Sequence, residues 1–226
     1  AAIFIFGSII TCALALLIST PFSIASAIFM TEISPGIGRK ILQPAVEIFV
    51  GIPSVVYGWI GLTILVPFIK DLFDLKFGFS VLAAGIVLAV MIYPTITSLS
   101  ADAIRSIPKS FRQASYGLGA TRWQTISQVV IPASKSGLMT AIVLGLARAF
   151  GEALAVAMVI GKMKAFPESL LSPTTNLTAA IASDMGGAME GSEYNIALWS
   201  MALLLFIISL VFIFIIHYIS AKGGHK

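Results

Sequence analysis

Residues Leu203–Ile216 read LLLFIISLVFIFII, a run broken by one polar residue, Ser209. A membrane β-barrel strand would alternate apolar and polar residues over about ten positions. A continuous apolar run is instead a helix, and with its flanks this one reaches the roughly 20 residues needed to cross a bilayer core. Four further stretches have the same character, so five spans are expected, at about Ile3–Met30, Ala45–Ile69, Phe79–Leu99, Gly137–Gly161 and Ile196–Ile219. The first contains Pro21 and is long enough to tilt, kink or end in an interfacial turn. The fold expected is an all-α membrane bundle, with residues 1–226 forming a single transmembrane domain.

Composition agrees. Of the 226 residues, 58% are hydrophobic and 11% charged, and the mean hydropathy is +1.00. An average soluble domain carries about 25% charged residues. So little charge leaves no way to cover a water-facing surface, which excludes soluble globular, disordered and nucleic-acid-binding classes despite a pI near 9.3. The single cysteine, Cys12, cannot form a disulfide within the chain, and no Cys-based metal site is expected.

The net charge of +4 is explained by topology. Arg39 and Lys40 follow the first span, Arg105, Lys109, Arg112, Arg122 and Lys135 follow the third, and Lys222 and Lys226 end the chain. These nine oppose four on the other side, Lys70, Lys76, Lys162 and Lys164. Positive charge collects on the cytoplasmic side of membrane proteins. The 100–135 loop and the C-terminus are therefore expected in the cytoplasm, and Ala1 outside. The start AAIFIFG has neither Met nor a signal-peptide pattern, so a sixth span upstream is expected; a five-span chain with an exterior start is the other reading.

The loop at about 100–135 contains IPKSFRQASYGLGATRWQTISQVVIP. Pro108 suits the start of a helix, along which Phe111, Ala114 and Leu118 recur at helical spacing. Gly117 and Gly119 break it, and Thr121 is placed to cap a second short helix ended at Pro132. This knob offers Phe111, Tyr116 and Trp123 beside Arg112 and Arg122. It reads either as a docking element or as an interfacial helix pair on lipid headgroups.

Gln113-Ala114-Ser115, three residues, Gly119, nine residues, then Val129-x-Ile131-Pro132 resembles the E-A-A, three, G, nine, I-x-L-P loop of ABC-importer permeases. Gln113 replaces the Glu and Ser115 the second Ala. TEISPG at 31–36, VEIFVGIPSVVYGW at 46–59, SYGLGATRWQ at 115–124 and LGLARAFGEALAVAMVIG at 144–161 resemble the PstC-type phosphate permease branch of that family. The resemblance implies a type I ABC importer permease in a bacterial inner membrane, with Gln113, Ala114, Ser115, Gly119, Ile131 and Pro132 in an ATPase-coupling loop. It implies cytoplasmic ATP-binding subunits, a second homologous permease, and an extracytoplasmic phosphate-binding protein as partners. No G-x-x-x-x-G-K-[ST] phosphate cradle occurs in this chain, so no cofactor is expected on it, and ATP would be used by the partner. A permease for sulfate or molybdate, or an ATP-independent channel or carrier, are the alternatives.

Arg148 and Glu152 fall within the fourth expected span, four residues apart and so on one helical face. A charge at mid-membrane costs about 2.5–3.5 kcal/mol on insertion scales and normally lines a bundle interior or water path. A guanidinium fork fits phosphate oxygens. The pair reads either as a transient anion contact on the permeation path or as an ion pair fixing helix register; the resemblance favours the path. Gly145, Ala149, Gly151, Ala153, Ala155 and Ala157 permit close helix approach. Glu47 reads as a snorkelling or locally paired residue, and Gly51 and Pro53 as a bend.

In the exterior loop, about 162–195, Leu177, Ile181 and Met185 mark a short amphipathic helix starting near Asn176. Asp184, Glu190 and Glu193 give the loop an acidic second half where a substrate-delivering receptor could dock; the other reading is an interfacial helix on lipid. Enzyme chemistry lacks its parts: the two histidines, His217 and His225, are both near the C-terminus, and neither G-x-S-x-G nor H-E-x-x-H occurs.

Overall fold

A computed structural model of the chain describes residues 2–223; Ala1, His225 and Lys226, invoked above, lie outside them. In order come α1 (Ala2–Ile28), α2 (Pro35–Ile37), α3 (Gln43–Gly51), α4 (Ser54–Ile60), α5 (Val66–Leu72) and α6 (Val81–Arg105). They are followed by α7 (Lys109–Gly117), α8 (Arg122–Thr125), α9 (Ile131–Gly151), α10 (Leu154–Val159), α11 (Leu177–Asp184) and α12 (Glu193–Gly223). Pairing of β type among the described residues is confined to one bridge, Gly161 with Thr174.

Among the described residues, five helical runs are long and apolar enough to cross a membrane: Ala2–Ile33, Ser54–Leu72, Val81–Arg105, Arg122–Gly151 and Glu193–Ile216. All five expected spans are present, but the second and fourth have different bounds. Gly51 and Pro53 do more than bend the second. The helix stops at Gly51 and restarts at Ser54, because Pro53 adopts φ −59°, ψ 139° and breaks the hydrogen-bond ladder. The fourth begins within the 100–135 loop and ends at Gly151. Pro21 and Pro94, by contrast, lie inside the continuous helices α1 and α6.

The expected stop at Pro132 does not occur, and the backbone shows why. Four π turns, Phe29–Ile33, Gly38–Leu42, Gly61–Leu65 and Ile126–Val130, each end two residues before a proline: Pro35, Pro44, Pro67 and Pro132. In each, the N–H just before the proline donates to the carbonyl five residues back, for example Ile131 to Ile126. A pyrrolidine ring collides with the carbonyl four residues earlier in an α-helix. Widening that turn by one residue relieves the collision, so after three of these turns the chain stays helical through the proline.

The residues cluster into two compact units. One takes in residues up to Ile18, Ile52–Ile92 and Leu146–Phe212. In it Gly58 lets α4 approach α10 closely: a Cβ there would lie 2.8 Å from both Ala155 Cα and Met158 Sδ. Leu177 of α11 is buried with Leu198 and Met201 of α12, and Ile181 and Met185 pack against them. The apolar stripe of α11 is therefore spent inside the protein, and the expectation that this helix rests on lipid is corrected. The other unit takes in Ser19–Gly51, Tyr93–Gly145 and residues from Ile213. Ala27, Ala101, Ile104, Val130 and Leu138 form its core, and Ser23 and Ser26 of α1 hydrogen-bond Tyr93 of α6.

Candidate functional site

The 100–135 segment folds as two helices around a tight turn. Thr121 caps α8 through a reciprocal capping box: its side chain accepts from the Gln124 N–H, and the Gln124 side chain accepts from the Thr121 N–H. Gly119 has φ +82°, a conformation that favours glycine. Gln113 and Ala114 are exposed on α7, whereas Ser115 is buried. The Ser115 and Thr125 hydroxyls hydrogen-bond at 2.9 Å, joining α7 to α8. Ile131 and Pro132 open α9, contiguous with the knob through the π turn. Outward, Phe111, Tyr116, Trp123 and the 90%-exposed Leu118 present apolar surface. A groove of about 640 Å³ runs beside it, lined by Phe111, Ala114, Leu118 and Val129 among others.

Arg112 and Arg122 stand beside Tyr116 as expected, lining one pocket with it, and both guanidiniums are tied to the end of the first span. Arg112 Nε donates to Glu32 Oε1 at 3.0 Å, and its Nη2 contacts the same oxygen at 2.5 Å. Its remaining donors reach carbonyls at the end of α6, Ile107 at 2.8 Å from Nη1 and Ile104 at 3.0 Å from Nη2. Arg122 Nη2 donates to the Ile33 carbonyl at 2.8 Å and to the Glu32 carbonyl. These carbonyls lie at or just past helix C-terminal ends, where acceptors outnumber intrahelical donors and cations complement the helix dipole. In the sequence Glu32 reads only as part of TEISPG at 31–36, and nothing there pairs it with Arg112.

Arg148 lies in the last turn of α9 and is half-buried. Glu152 lies just past it, where the helix is interrupted until Leu154. The expected continuous helix carrying both on one face is therefore corrected. Gly151 is a poor helix former, and Glu152 acts as a cap: its Oε1 accepts from the Ala155 N–H at 3.1 Å, in the first turn of α10. Its carbonyl accepts from Thr178 Oγ1 at 2.7 Å. A break at membrane depth exposes backbone polar groups, and these bonds satisfy two of them. Glu47 is locally paired as expected, accepting from Gln43 Nε2 at 3.0 Å.

In the loop beyond, Lys164 Nζ lies 3.1 Å from Asp184 and 2.8 Å from the Tyr194 hydroxyl, which itself donates to Asp184. The Tyr194 hydrogen bond, followed by Lys164, holds the Asp184 carboxyl below its usual range. The Tyr194 and Asp184 contacts push the Lys164 ammonium up. Among the described residues no cluster of His, Cys, Asp and Glu could hold a metal ion.

The described residues thus form five apolar spans, with a helix–turn–helix knob leading into the fourth. Residues 19–223 match the family described as binding-protein-dependent transport system inner membrane component, and the chain belongs to that family. It is 57% identical over 219 residues to the probable ABC transporter permease protein YqgH of Bacillus subtilis, covering 97% of this chain and 71% of that protein. It is 37% identical over 224 residues to the phosphate transport system permease protein PstC of Haemophilus influenzae, covering 91% and 70%. With PstC of Pasteurella multocida the identity is 38% over 245 residues, covering 98% and 76%. Among solved structures, an inward-facing MetNI methionine ABC transporter chain superposes with a TM-score of 0.71 at 20% identity, covering 98% of this chain and 96% of that one. That last likeness concerns the fold.

Proposed function

We propose that this chain is a permease subunit of an ATP-driven importer of inorganic phosphate. The carrying observation is the knob: Arg112 turns onto Glu32 and Ser115 onto Thr125, while Phe111, Leu118 and Trp123 stay exposed beside an apolar groove. Exposed aromatic and aliphatic anchors clustered on one face are what a buried interface requires. The knob is read as the element that seats in a cytoplasmic ATP-binding subunit, with Gln113, Ala114, Ser115, Gly119, Ile131 and Pro132 in the coupling segment. ATP is then hydrolysed on the partner. Phosphate as the substrate is supported by the PstC relatives.

Arg148 is assigned to the anion path, where its fork matches two phosphate oxygens. Glu152 sets the break that ends α9 beside it and limits how tightly an anion is held. Substrate would arrive from an extracytoplasmic phosphate-binding protein, and the path would be completed by a second, homologous permease. Only 6% of the most apolar window of α12 is buried within the chain, so that helix is free to face lipid or the second permease. A cytoplasmic C-terminus is supported by the charge asymmetry.

The test is reconstitution of the chain with its ATPase, second permease and receptor in liposomes. ATP-dependent uptake of labelled phosphate, absent when the ATPase is omitted, is the expected result. Uptake of sulfate or molybdate in preference to phosphate would overturn the substrate. Uptake without any ATPase would overturn the mechanism.

A further inference from the structure

We propose that Glu32 and Arg112 are positioning residues that lock the knob to the ends of α1 and α6, so that force applied to the knob moves those helices instead of bending the loop. The inference rests on the coupling reading above and adds to it the residues through which coupling would pass. Both side chains are largely withdrawn from solvent, 10% exposed for Glu32 and 18% for Arg112. Arg112 Nε contacts both carboxylate oxygens of Glu32, at 3.0 and 3.3 Å, and Nη1 and Nη2 are anchored on Ile107 and Ile104.

The geometry supplies direction as well as attachment. Arg112 is on α7 and Arg122 is the first residue of α8, yet both bind the π turn Phe29–Ile33 that prolongs α1. Each helix of the knob thus has its own tie to one short segment, and neither can shift alone without breaking a charge-assisted bond. Arg112 also ties that segment to the C-terminal end of α6. Three elements, one of them 80 residues away in sequence, meet on one guanidinium. An ammonium at position 112 would keep the charge but could not hold the carboxylate and both carbonyls in one plane.

The experiment uses the reconstituted complex and reads phosphate moved per ATP hydrolysed, alongside the amount of ATPase that co-purifies. Glu32→Gln and Arg112→Lys are expected to retain the ATPase and its basal hydrolysis while the ratio falls about 5-fold or more, the range of typical coupling energies. Asp102→Asn, which alters an exposed ion pair with Arg105 in the same region, is expected to leave the ratio unchanged. Should a single variant fail to accumulate because it leaves a buried charge unpaired, Glu32→Gln with Arg112→Gln removes both charges and is expected to show the same loss of ratio. A ratio within twofold of wild type in whichever of these variants accumulate would overturn the inference. So would uptake and hydrolysis falling together in step with the assembled complex, the signature of a merely structural contact. If the wild-type chain retains no ATPase, the coupling reading fails first and takes this inference with it.

Discussion

The hydroxyls of Ser115 and Thr125 lie 2.9 Å apart and pin the two knob helices together across the Gly119 turn. Ser115 stands where the family pattern has alanine, and its burial gives the departure a physical purpose. Ser115→Ala removes one buried hydrogen bond, while Thr125 keeps its second bond, to the Thr121 carbonyl at 3.1 Å. The expected loss is about 1 kcal/mol of stability, visible as a small drop in melting temperature, with ATPase retention intact.

Gly119 is expected to be far less tolerant. A Cβ there would meet nothing within 4 Å, so crowding is not the obstacle. The obstacle is φ +82°, which costs an ordinary L-residue about 1–2 kcal/mol and a β-branched one more. Gly119→Ile should reduce co-purifying ATPase at matched membrane abundance, and Gly119→Asn, which tolerates this conformation, should largely preserve it. Equal retention in both would remove the turn from the coupling element.

Arg148→Gln should leave the protein inserted and lower phosphate uptake to below about a tenth of wild type, since each ~1.4 kcal/mol of lost transition-state binding is tenfold. Glu152→Gln keeps an acceptor oxygen for the Ala155 N–H, so the break survives; an anion near Arg148 should be held more firmly and turnover should fall. Glu152→Ala also loses the cap and should destabilise by about 1 kcal/mol. Uptake by the double variant Arg148→Gln, Glu152→Gln at matched abundance separates the readings: an inactive, folded protein places Arg148 on the path, and restored uptake would make the pair architectural.

The Lys164–Asp184–Tyr194 cluster predicts a pH window for the loop that contains it. Asp184 is held below its ordinary 3.8, so its contribution is full above that value and is lost as pH falls through the lowered one. Lys164 is held above its ordinary 10.5, so its contribution is full below that value and is lost as pH rises through the raised one. Protease resistance of residues 185–192 should therefore be flat across neutral pH and decline at both extremes. Tyr194→Phe removes the hydroxyl that touches both partners and should bring the acid decline to higher pH.

Gly58→Val should damage packing without touching any charge. Its side chain would collide with the Ala155 backbone of α10 as well as with Met158, and overpacking of this kind costs about 1–3 kcal/mol. Gly51→Ala, where a Cβ meets nothing within 4 Å, is the matched control and should be nearly silent in thermal unfolding of the detergent-solubilised protein.

The sequence by itself determined the bundle, because apolar runs such as Leu203–Ile216 satisfy their backbone only as helices in lipid. It also determined Thr121 as a cap, Asn176 at the start of α11, where its Oδ1 accepts from the Ala179 N–H, and Gly119 as the turn. Each of these depends on neighbours within a few residues, where spacing carries the physics. Tertiary structure alone decided the rest. A helix passing through Pro132 depends on a π turn that residue counting does not reveal, and the interruption after Gly151 depends on Thr178, 26 positions away, taking the Glu152 carbonyl. Arg112 read as a surface cation because its partner, Glu32, is 80 residues distant. Periodicity reports which face of a helix is apolar; it does not report which distant group a charge finds once the helices pack.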